Sequence, residues 1–339
     1  MSNLEFRLKA LTDIWTGGTE GKRDGKLHLT GIKGSIRWWY EVLVRGLGGY
    51  ACDPASKNED EKCKFDTTSF QKTKDLNSEL NKICSACQLF GCTGWSGKFV
   101  LKITDNKNIP LSKQISKDNN CNFILKFIEK KELTDNEKYL INSMIKLIAE
   151  YGAIGAKTVL KPSDNSTKND KPHHHDHGIL AYQDNFTIYK TALLLKHIIF
   201  TLKKNNEIDW PNLKNFWFIN GAYLNRKEHN DLVHRDDSDP RYYKNGASEL
   251  DVFRGGYITD THGEKMIPLN LKSTVEQRNT QSSAESKKIF SFHGKDSAIS
   301  RCFGYTRNFK ERDDIIKTIE TILNVKGKIK TGEVVLGEL

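Results

Sequence analysis

The sequence predicts an α+β fold, because strand and helix patterns alternate through its first half. Residues 4–11 alternate apolar and polar side chains, as a strand with one buried face does. Residues 29–47 place apolar side chains at helical spacing. Residues 99–104 and 121–128 are β-rich runs on either side of a polar turn, which predicts a hairpin.

A second helix continues this order. Thr134 and Glu137 form a capping-box pair, and apolar residues then keep one helical face until Gly152. The resulting order is β-α-β-β-α, and a short strand at residues 156–160 would complete a split β-α-β unit. The sequence therefore predicts a ferredoxin-like domain, which is also the architecture of RNA-recognition (RRM-like) domains.

The chain is expected to contain two domains. After Pro162 the composition shifts to Ser, Asp, Asn, Lys and His, which predicts a linker or surface loop at residues 163–177. Domains are then expected at 1–162 and 178–339. In the second, residues 191–203 and 314–323 have helical periods, whereas 215–219, 250–254 and 301–306 are typical of strands. The polar segments 225–246 and 277–288 are expected to be insertions or exposed loops.

Composition restricts the partners and the compartment. The 339 residues carry a formal net charge of +10, which favours a polyanion, most commonly a nucleic acid. No apolar run has the length needed to cross a bilayer, and the N-terminus has no signal-peptide pattern, so no membrane association is expected. Seven cysteines, an odd number, favour a reducing compartment, and a cytoplasmic protein is expected.

The first predicted helix mixes glycines, cations and tryptophans. Lys33 and Arg37 lie one turn apart, and a helix N-terminus favours a phosphate. Trp38 falls beside the apolar stripe, where its ring can stack on an unpaired base. The alternative is an ordinary amphipathic helix in which Arg37 pairs with Glu41.

A glycine turn, YGAIGAKTV at 151–159, follows the second helix. Gly152 and Gly155 permit positive φ and a close approach of backbone N–H groups to phosphate, and Lys157 adds charge. A nucleotide-binding P-loop is excluded, because that motif has Gly directly before its Lys and a helix after it. The alternative is a helix C-cap. The remaining candidate RNA contacts are Arg45, Lys161, Arg301, Arg307 and, as a stacking residue, Trp15.

The cysteine spacing suggests a structural zinc ion. Cys84 and Cys87 form a Cys-x-x-Cys pair, and Cys92 follows five residues later. Cys52, Cys63 or His28 could supply the fourth ligand, and the predicted set is Cys84, Cys87, Cys92 and Cys52. The alternative is free buried thiols. The histidine-rich tract at 173–177 is interpreted as an adventitious metal binder in the linker.

Four motifs together carry a family resemblance: LTGIKGSIRWWY at 29–40, LGGYACDP at 47–54, CSACQLFGCTGW at 84–95 and YGAIGAKTV at 151–159. In this order they resemble the RAMP superfamily of CRISPR effector proteins and, more narrowly, the first subunits of the type III-B (Cmr) RNA-targeting complex. The second half matches through fewer residues, DVFRGG at 251–256 and CFGY at 302–305.

The resemblance implies two ferredoxin-like domains with long insertions. It also implies a non-catalytic, RNA-binding subunit of an antiviral ribonucleoprotein, placed near the 3′ part of the guide (CRISPR) RNA and its target RNA. The expected protein partners are the other RAMP subunits of the Cmr complex.

An enzymatic alternative rests on His28. This residue precedes the first helix beside Lys26 and Lys33, where a histidine can act as a general base on a ribose 2′-OH while lysines bind the phosphate. CRISPR repeat endonucleases with related folds use such a site. The competing interpretation is a structural histidine at the end of a loop.

Overall fold

The computed structural model describes residues 4–17, 24–56, 58–155, 176–183, 211–236, 243–255, 288–293, 299–324 and 328–339. Its strands are β1 (Leu4–Ala10), β2 (Phe99–Thr104), β3 (Asn122–Glu129), β4 (Leu180–Tyr182), β5 (Phe216–Asn220), β6 (Ile289–Phe292), β7 (Arg301–Tyr305) and β8 (Lys330–Thr331). Its helices are α1 (Leu29–Gly46), α2 (Thr67–Thr73), α3 (Leu76–Leu80), α4 (Ser85–Phe90), α5 (Asp135–Glu150), α6 (Arg226–Leu232), α7 (Glu249–Gly255), α8 (Phe309–Leu323) and α9 (Gly332–Glu338).

The described elements form two compact units. The first contains β1–β4, α1–α5 and α9, and the second contains β5–β8 and α6–α8. Among the described residues, no helix is long and apolar enough to cross a membrane.

The first sheet has the strand order β2-β3-β1-β4, and every neighbouring pair is antiparallel. Helix α1 connects β1 toward β2, and α5 follows β3, so the topology is ferredoxin-like. The predicted hairpin and helices are confirmed. The capping box of α5 is also confirmed: Thr134 Oγ1 accepts the Glu137 N–H, and the Glu137 carboxylate accepts the Thr134 N–H.

The second sheet repeats this topology. Its strand order is β6-β7-β5-β8, again with antiparallel neighbours. Helix α8 occupies the place in the second unit that α5 occupies in the first. The α+β prediction of two ferredoxin-like domains with long insertions is therefore confirmed.

The predicted domain boundary at residue 178 is corrected. Strand β4 completes the first sheet, where Tyr182 lies opposite Leu8 of β1. Helix α9 also belongs to the first unit, and the Tyr151 hydroxyl donates to the carboxylate of Glu338. Pairing with β4 occupies backbone groups that β1 would otherwise present at an open sheet edge. The predicted strand at 156–160, the linker up to 175 and the helix at 191–203 lie outside the described residues.

The predicted strand at 250–254 is wrong, because these residues lie in helix α7. Ser248 and Asp251 form a reciprocal cap: the Ser248 N–H donates to Asp251 Oδ2 (2.8 Å), and the Asp251 N–H donates to Ser248 Oγ (3.3 Å). Ser-x-x-Asp before an apolar pair is a helix-start signal that the β-rich reading of Val252 and Phe253 overlooked.

Candidate functional site

Helix α1 is held against the turn that follows α5. Its buried stripe includes Ile36 and Trp39, and the Trp39 indole N–H donates to the Ala153 carbonyl oxygen over 2.9 Å. One long-range hydrogen bond therefore connects two of the four sequence motifs.

The glycine turn leaves room for the Trp39 indole. A Cβ at Gly152 would lie 2.5 Å from Trp39 Cζ2, so only glycine fits there without displacing the indole. Of the two glycines in question, Gly155 alone has a positive φ (+112°). The Gly152 N–H donates to the Leu147 carbonyl oxygen and the Gly155 N–H donates to Ser35 Oγ. Because both amides already have partners inside the protein, the structure contradicts their predicted role as phosphate donors and favours the capping alternative for Gly152.

Four cysteine thiols meet beside α1. The sulfur atoms of Cys52, Cys63, Cys84 and Cys87 all lie within 4.8 Å of one another. The Sγ–Sγ distance is 3.4 Å between Cys52 and Cys87 and 3.7 Å between Cys52 and Cys84. The Cys84 N–H also points to Cys63 Sγ, at 3.3 Å. We call these four residues the thiol cluster.

Three members of the predicted zinc-ligand set, Cys52, Cys84 and Cys87, lie in the thiol cluster, where the fourth member is Cys63 and not Cys92. Zinc binding itself stays a prediction. Cys92 lies outside the thiol cluster, and its thiol faces the Thr93 carbonyl oxygen at 3.7 Å. Helix α4 ends at Phe90, and Gly91 then turns the chain with φ +101°. After this turn the Cys92 thiol still lies beside that of Cys87. Cys63 from the preceding loop, however, is the fourth member of the group of mutually close thiols.

Arg37 joins α1 to the thiol cluster. Its Nε lies 2.7 Å from Glu41 Oε1, Nη1 donates to the Gly91 carbonyl oxygen (2.7 Å), and Nη2 lies 3.2 Å from Cys87 Sγ. Burial raises the pKa of Glu41 to about 7, although Arg37 opposes this shift. Burial by itself lowers the pKa of Arg37, but Glu41 and Cys87 outweigh burial and raise it. The guanidinium is thus committed to partners within the protein.

Arg45 lies on the same helix and is 3% exposed. It donates to the carbonyl oxygens of Ala51 (2.8 Å), Cys52 (3.1 Å) and Pro211 (3.4 Å). Its side chain therefore orders the backbone that carries the first cysteine of the thiol cluster.

The outer face of the first sheet, opposite its apolar core face, carries exposed cations. Arg7 and Lys9 of β1 and Lys102 of β2 are exposed there. Lys126 of β3 lies between Glu5 and Lys102 in the strand register, and its ammonium is 2.7 Å from the Glu5 carboxylate. The sequence analysis did not single these residues out. The alternation that predicted β1 places Arg7 and Lys9 opposite its core face, so the signal was present.

Comparison with protein families identifies the first half of the chain. Residues 7–160 match the model of the RAMP superfamily. Comparison with curated proteins gives no match.

Two solved structures are similar to this chain over most of its length. Cmr1 from Pyrococcus furiosus in its apo form is 10% identical, with a TM-score of 0.38 and coverage of 98% of this chain and 99% of that chain. A chain of the type III-B Cmr-beta complex, determined by cryo-EM with cognate target RNA, AMPPnP and ssDNA, is 11% identical, with a TM-score of 0.44 and coverage of 94% and 99%. Because both TM-scores are below 0.5, the likeness to the RAMP superfamily rests on the sequence match of residues 7–160.

Within the RAMP region, the structure contradicts three predicted RNA contacts. Arg37 and Arg45 are occupied by the partners described above. Trp15 is 7% exposed and packs edge-on against His177, with ring centroids 5.2 Å apart, so its face is not available for stacking. Lys157 and Lys161 lie outside the described residues.

Two of the predicted contacts in the RAMP region stay predictions. Lys33 is half-buried with its ammonium 5.2 Å from the centroid of Phe99, and burial, Arg37 and Lys130 lower its pKa. Trp38 is half-buried and meets Trp39 edge-on at 5.0 Å.

In the second unit, the structure gives little support to the two predicted RNA contacts, Arg301 and Arg307. Arg301 is 6% exposed in β7, which contradicts its predicted contact with RNA. Arg307 is partly exposed, but its guanidinium pairs with Glu311 at 2.7 Å and lies 5.5 Å from the ring of Phe253.

His28 lies immediately before α1. Its Nε2 is 2.8 Å from Asp24 Oδ2, and about a quarter of its side chain (26%) is exposed. The carboxylate can orient the imidazole, which is a feature that general bases and structural histidines share.

Proposed function

We propose that this chain is a non-catalytic, RNA-binding subunit of a type III-B CRISPR ribonucleoprotein, where it helps to hold the 3′ part of the guide RNA and the target RNA for antiviral defence. The observation that carries this proposal is the RAMP-superfamily match of residues 7–160. The order of the four sequence motifs supports the narrower assignment to the Cmr complex and its RAMP subunits as partners. The net charge of +10 supports a polyanionic ligand.

The outer face of the first sheet is the RNA-binding surface that we propose. Arg7, Lys9 and Lys102 are exposed on it. Same-face residues two apart on a strand are separated by about 6.8 Å, and neighbouring strands by about 4.8 Å, so these cations form one contiguous basic area. Such an area binds the phosphate backbone without reading sequence. Lys33 and Trp38 are additional candidates on α1.

A charge-neutralising triple variant tests this surface. We expect Arg7→Gln/Lys9→Gln/Lys102→Gln to weaken binding of single-stranded RNA and to reduce the slope of log affinity against log salt by about 2, since each phosphate contact contributes about 0.7 for a single strand. Fluorescence anisotropy across a salt series provides the measurement.

The matched control removes the same number of charges elsewhere. Lys64, Lys72 and Lys74 are exposed in the same unit and lie outside the strands of the first sheet, so their triple exchange to Gln should leave the salt slope almost unchanged. Equal losses in both triple variants would mean that only net charge matters. An absence of RNA binding by the unaltered chain would mean that it contributes protein contacts within its complex.

Metal-independent RNA cleavage at His28 is the second candidate function. The Asp24 carboxylate, 2.8 Å from His28 Nε2, is the observation that favours it. Cleavage of repeat RNA in the presence of EDTA, lost in His28→Ala, would support the nuclease. Intact RNA after prolonged incubation with the unaltered chain would leave the binding role.

A further inference from the structure

We propose that Cys52, Cys63, Cys84 and Cys87 bind one structural zinc ion, and that Cys92 takes no part in the site. This inference is independent of the proposed RNA function, because it depends on the thiol cluster alone.

The sulfur positions fit one tetrahedral ion. Zinc–thiolate bonds of about 2.3 Å at tetrahedral angles place the sulfur atoms about 3.8 Å apart. In the thiol cluster the measured distances are 3.4 Å and 3.7 Å for two pairs, and all four sulfurs lie within 4.8 Å. A disulfide instead needs sulfurs about 2.05 Å apart in a single pair. Four mutually close thiols provide the complete ligand set of a closed structural site.

The surroundings suit the charge of such a site. Four thiolates around one Zn²⁺ have a net charge of −2, which a buried site must balance. Arg37 reaches Cys87 Sγ at 3.2 Å, and Arg45 donates to the carbonyl oxygen of Cys52. The backbone N–H of Cys84, 3.3 Å from Cys63 Sγ, is an outer-shell donor of the kind that orients metal ligands. Glu41 offsets part of the positive charge, since it pairs with Arg37.

The position in the chain explains what the metal would stabilise. Among the described residues between 53 and 79, Phe65 and Glu79 are the buried ones, and α2 has no buried residue. This part of the insertion therefore lacks a substantial apolar core of its own. A zinc ion would connect the loop that carries Cys52 and Cys63 to α4, so that metal binding contributes folding free energy.

Zinc content and cysteine variants test the proposal. The complete chain, purified under reducing conditions without chelator, should contain one zinc per chain by elemental analysis. Cys63→Ser should retain less than about a tenth of that zinc, since it loses one of four thiolate ligands. Cys92→Ser is the matched control and should retain all of it. Equal loss in the two variants, or no stoichiometric zinc in the unaltered chain, would overturn the proposal.

Cobalt substitution keeps the test decisive if Cys63→Ser fails to fold. The unaltered chain and Cys92→Ser, stripped of zinc and loaded with Co²⁺, should both show the intense visible bands and near-ultraviolet charge-transfer absorption of tetrahedral cobalt–thiolate sites. Absence of these bands would overturn the site. Native mass spectrometry that finds two disulfides in place of a metal, in protein kept under reductant, would also overturn it.

Discussion

The two sheets have the same strand order, but their outer faces carry different kinds of residue. In the first, the outer face exposes cations such as Arg7 and Lys102. In the second, Phe218 and Phe303 lie opposite each other in the register, and both are 1% exposed. Phe216, Phe290 and Tyr305 extend that buried aromatic layer. Topology therefore does not decide which face can meet a polar ligand; the residues at alternate strand positions do.

The insertions differ in a similar way. Between β1 and β2, the thiol cluster and two arginines organise the chain that follows α1. Between β5 and β6, Arg235 is 1% exposed, donates to the Gly255 carbonyl oxygen (2.9 Å) and lies 3.1 Å from the Tyr243 hydroxyl. Its guanidinium is also 4.7 Å from the Tyr243 ring centroid. A buried cation thus organises one insertion, as the thiol cluster does the other.

The largest expected effect comes from the aromatic layer. Phe303→Ala should lower the free energy of unfolding by about 3 to 5 kcal/mol, because it removes a fully buried ring and leaves a cavity. Chemical denaturation measures this change. Arg7→Ala, on the exposed face of the first sheet, should change stability by no more than about 0.5 kcal/mol. Similar losses in both variants would break the contrast between the two faces.

A smaller effect tests what the two units share. Each packs a glycine on a tryptophan: a Cβ at Gly152 would lie 2.5 Å from Trp39, and one at Gly304 would lie 2.7 Å from Trp217. We expect each exchange to Ala to destabilise the protein by about 1 to 3 kcal/mol through overpacking.

The control for this pair is Gly34→Ala in α1, where an added Cβ meets nothing within 4 Å. That exchange should stabilise the helix by up to about 1 kcal/mol, because alanine has the higher helix propensity. Thermal and chemical denaturation follow all three variants. A neutral result at Gly152 or Gly304 would show that the indole can move aside in that unit.

The smallest effect is expected at the helix caps. Thr134 caps the N-terminus of α5 and Asn225 caps that of α6, each with a reciprocal capping box. Either exchange to Ala should cost about 1 kcal/mol, since one backbone N–H at the helix start loses its acceptor. Thr318→Ala removes an exposed hydroxyl inside α8 and should have almost no effect. A cost at Thr134 without one at Asn225 would separate the two units at the level of local structure.

Local signals were sufficient for most of the first unit. Period-two alternation located β1, the polar turn predicted the hairpin, and Thr134 with Glu137 marked the start of α5. The same approach failed at residues 250–254, where a short apolar run fits a strand and a helix equally well and the Ser248 cap decided for the helix. The strand β4 was placed in the wrong domain, because pairing with β1 involves residues about 170 positions apart, which no local pattern reports.

In the candidate site, too, sequence spacing found some of the neighbouring residues and missed others. Spacing alone identified Cys84 and Cys87 as neighbours, since residues three apart face the same side of a helical turn. It favoured Cys92 over Cys63, because closeness in sequence was the only measure available. Its positive charge alone predicted that Arg45 contacts RNA, yet its guanidinium donates to three carbonyl oxygens within the protein.

By itself, the sequence determined the α+β class, the elements with strong periodicity, the basic character of the chain and the motif order of the RAMP superfamily. These properties depend on neighbouring residues or on the chain's composition. Only the tertiary structure decided which cysteines lie close together, which arginines are hydrogen-bonded within the protein and which sheet face is charged and exposed. Those outcomes depend on long-range packing, which brings distant residues together and requires each buried charge or polar group to find a partner.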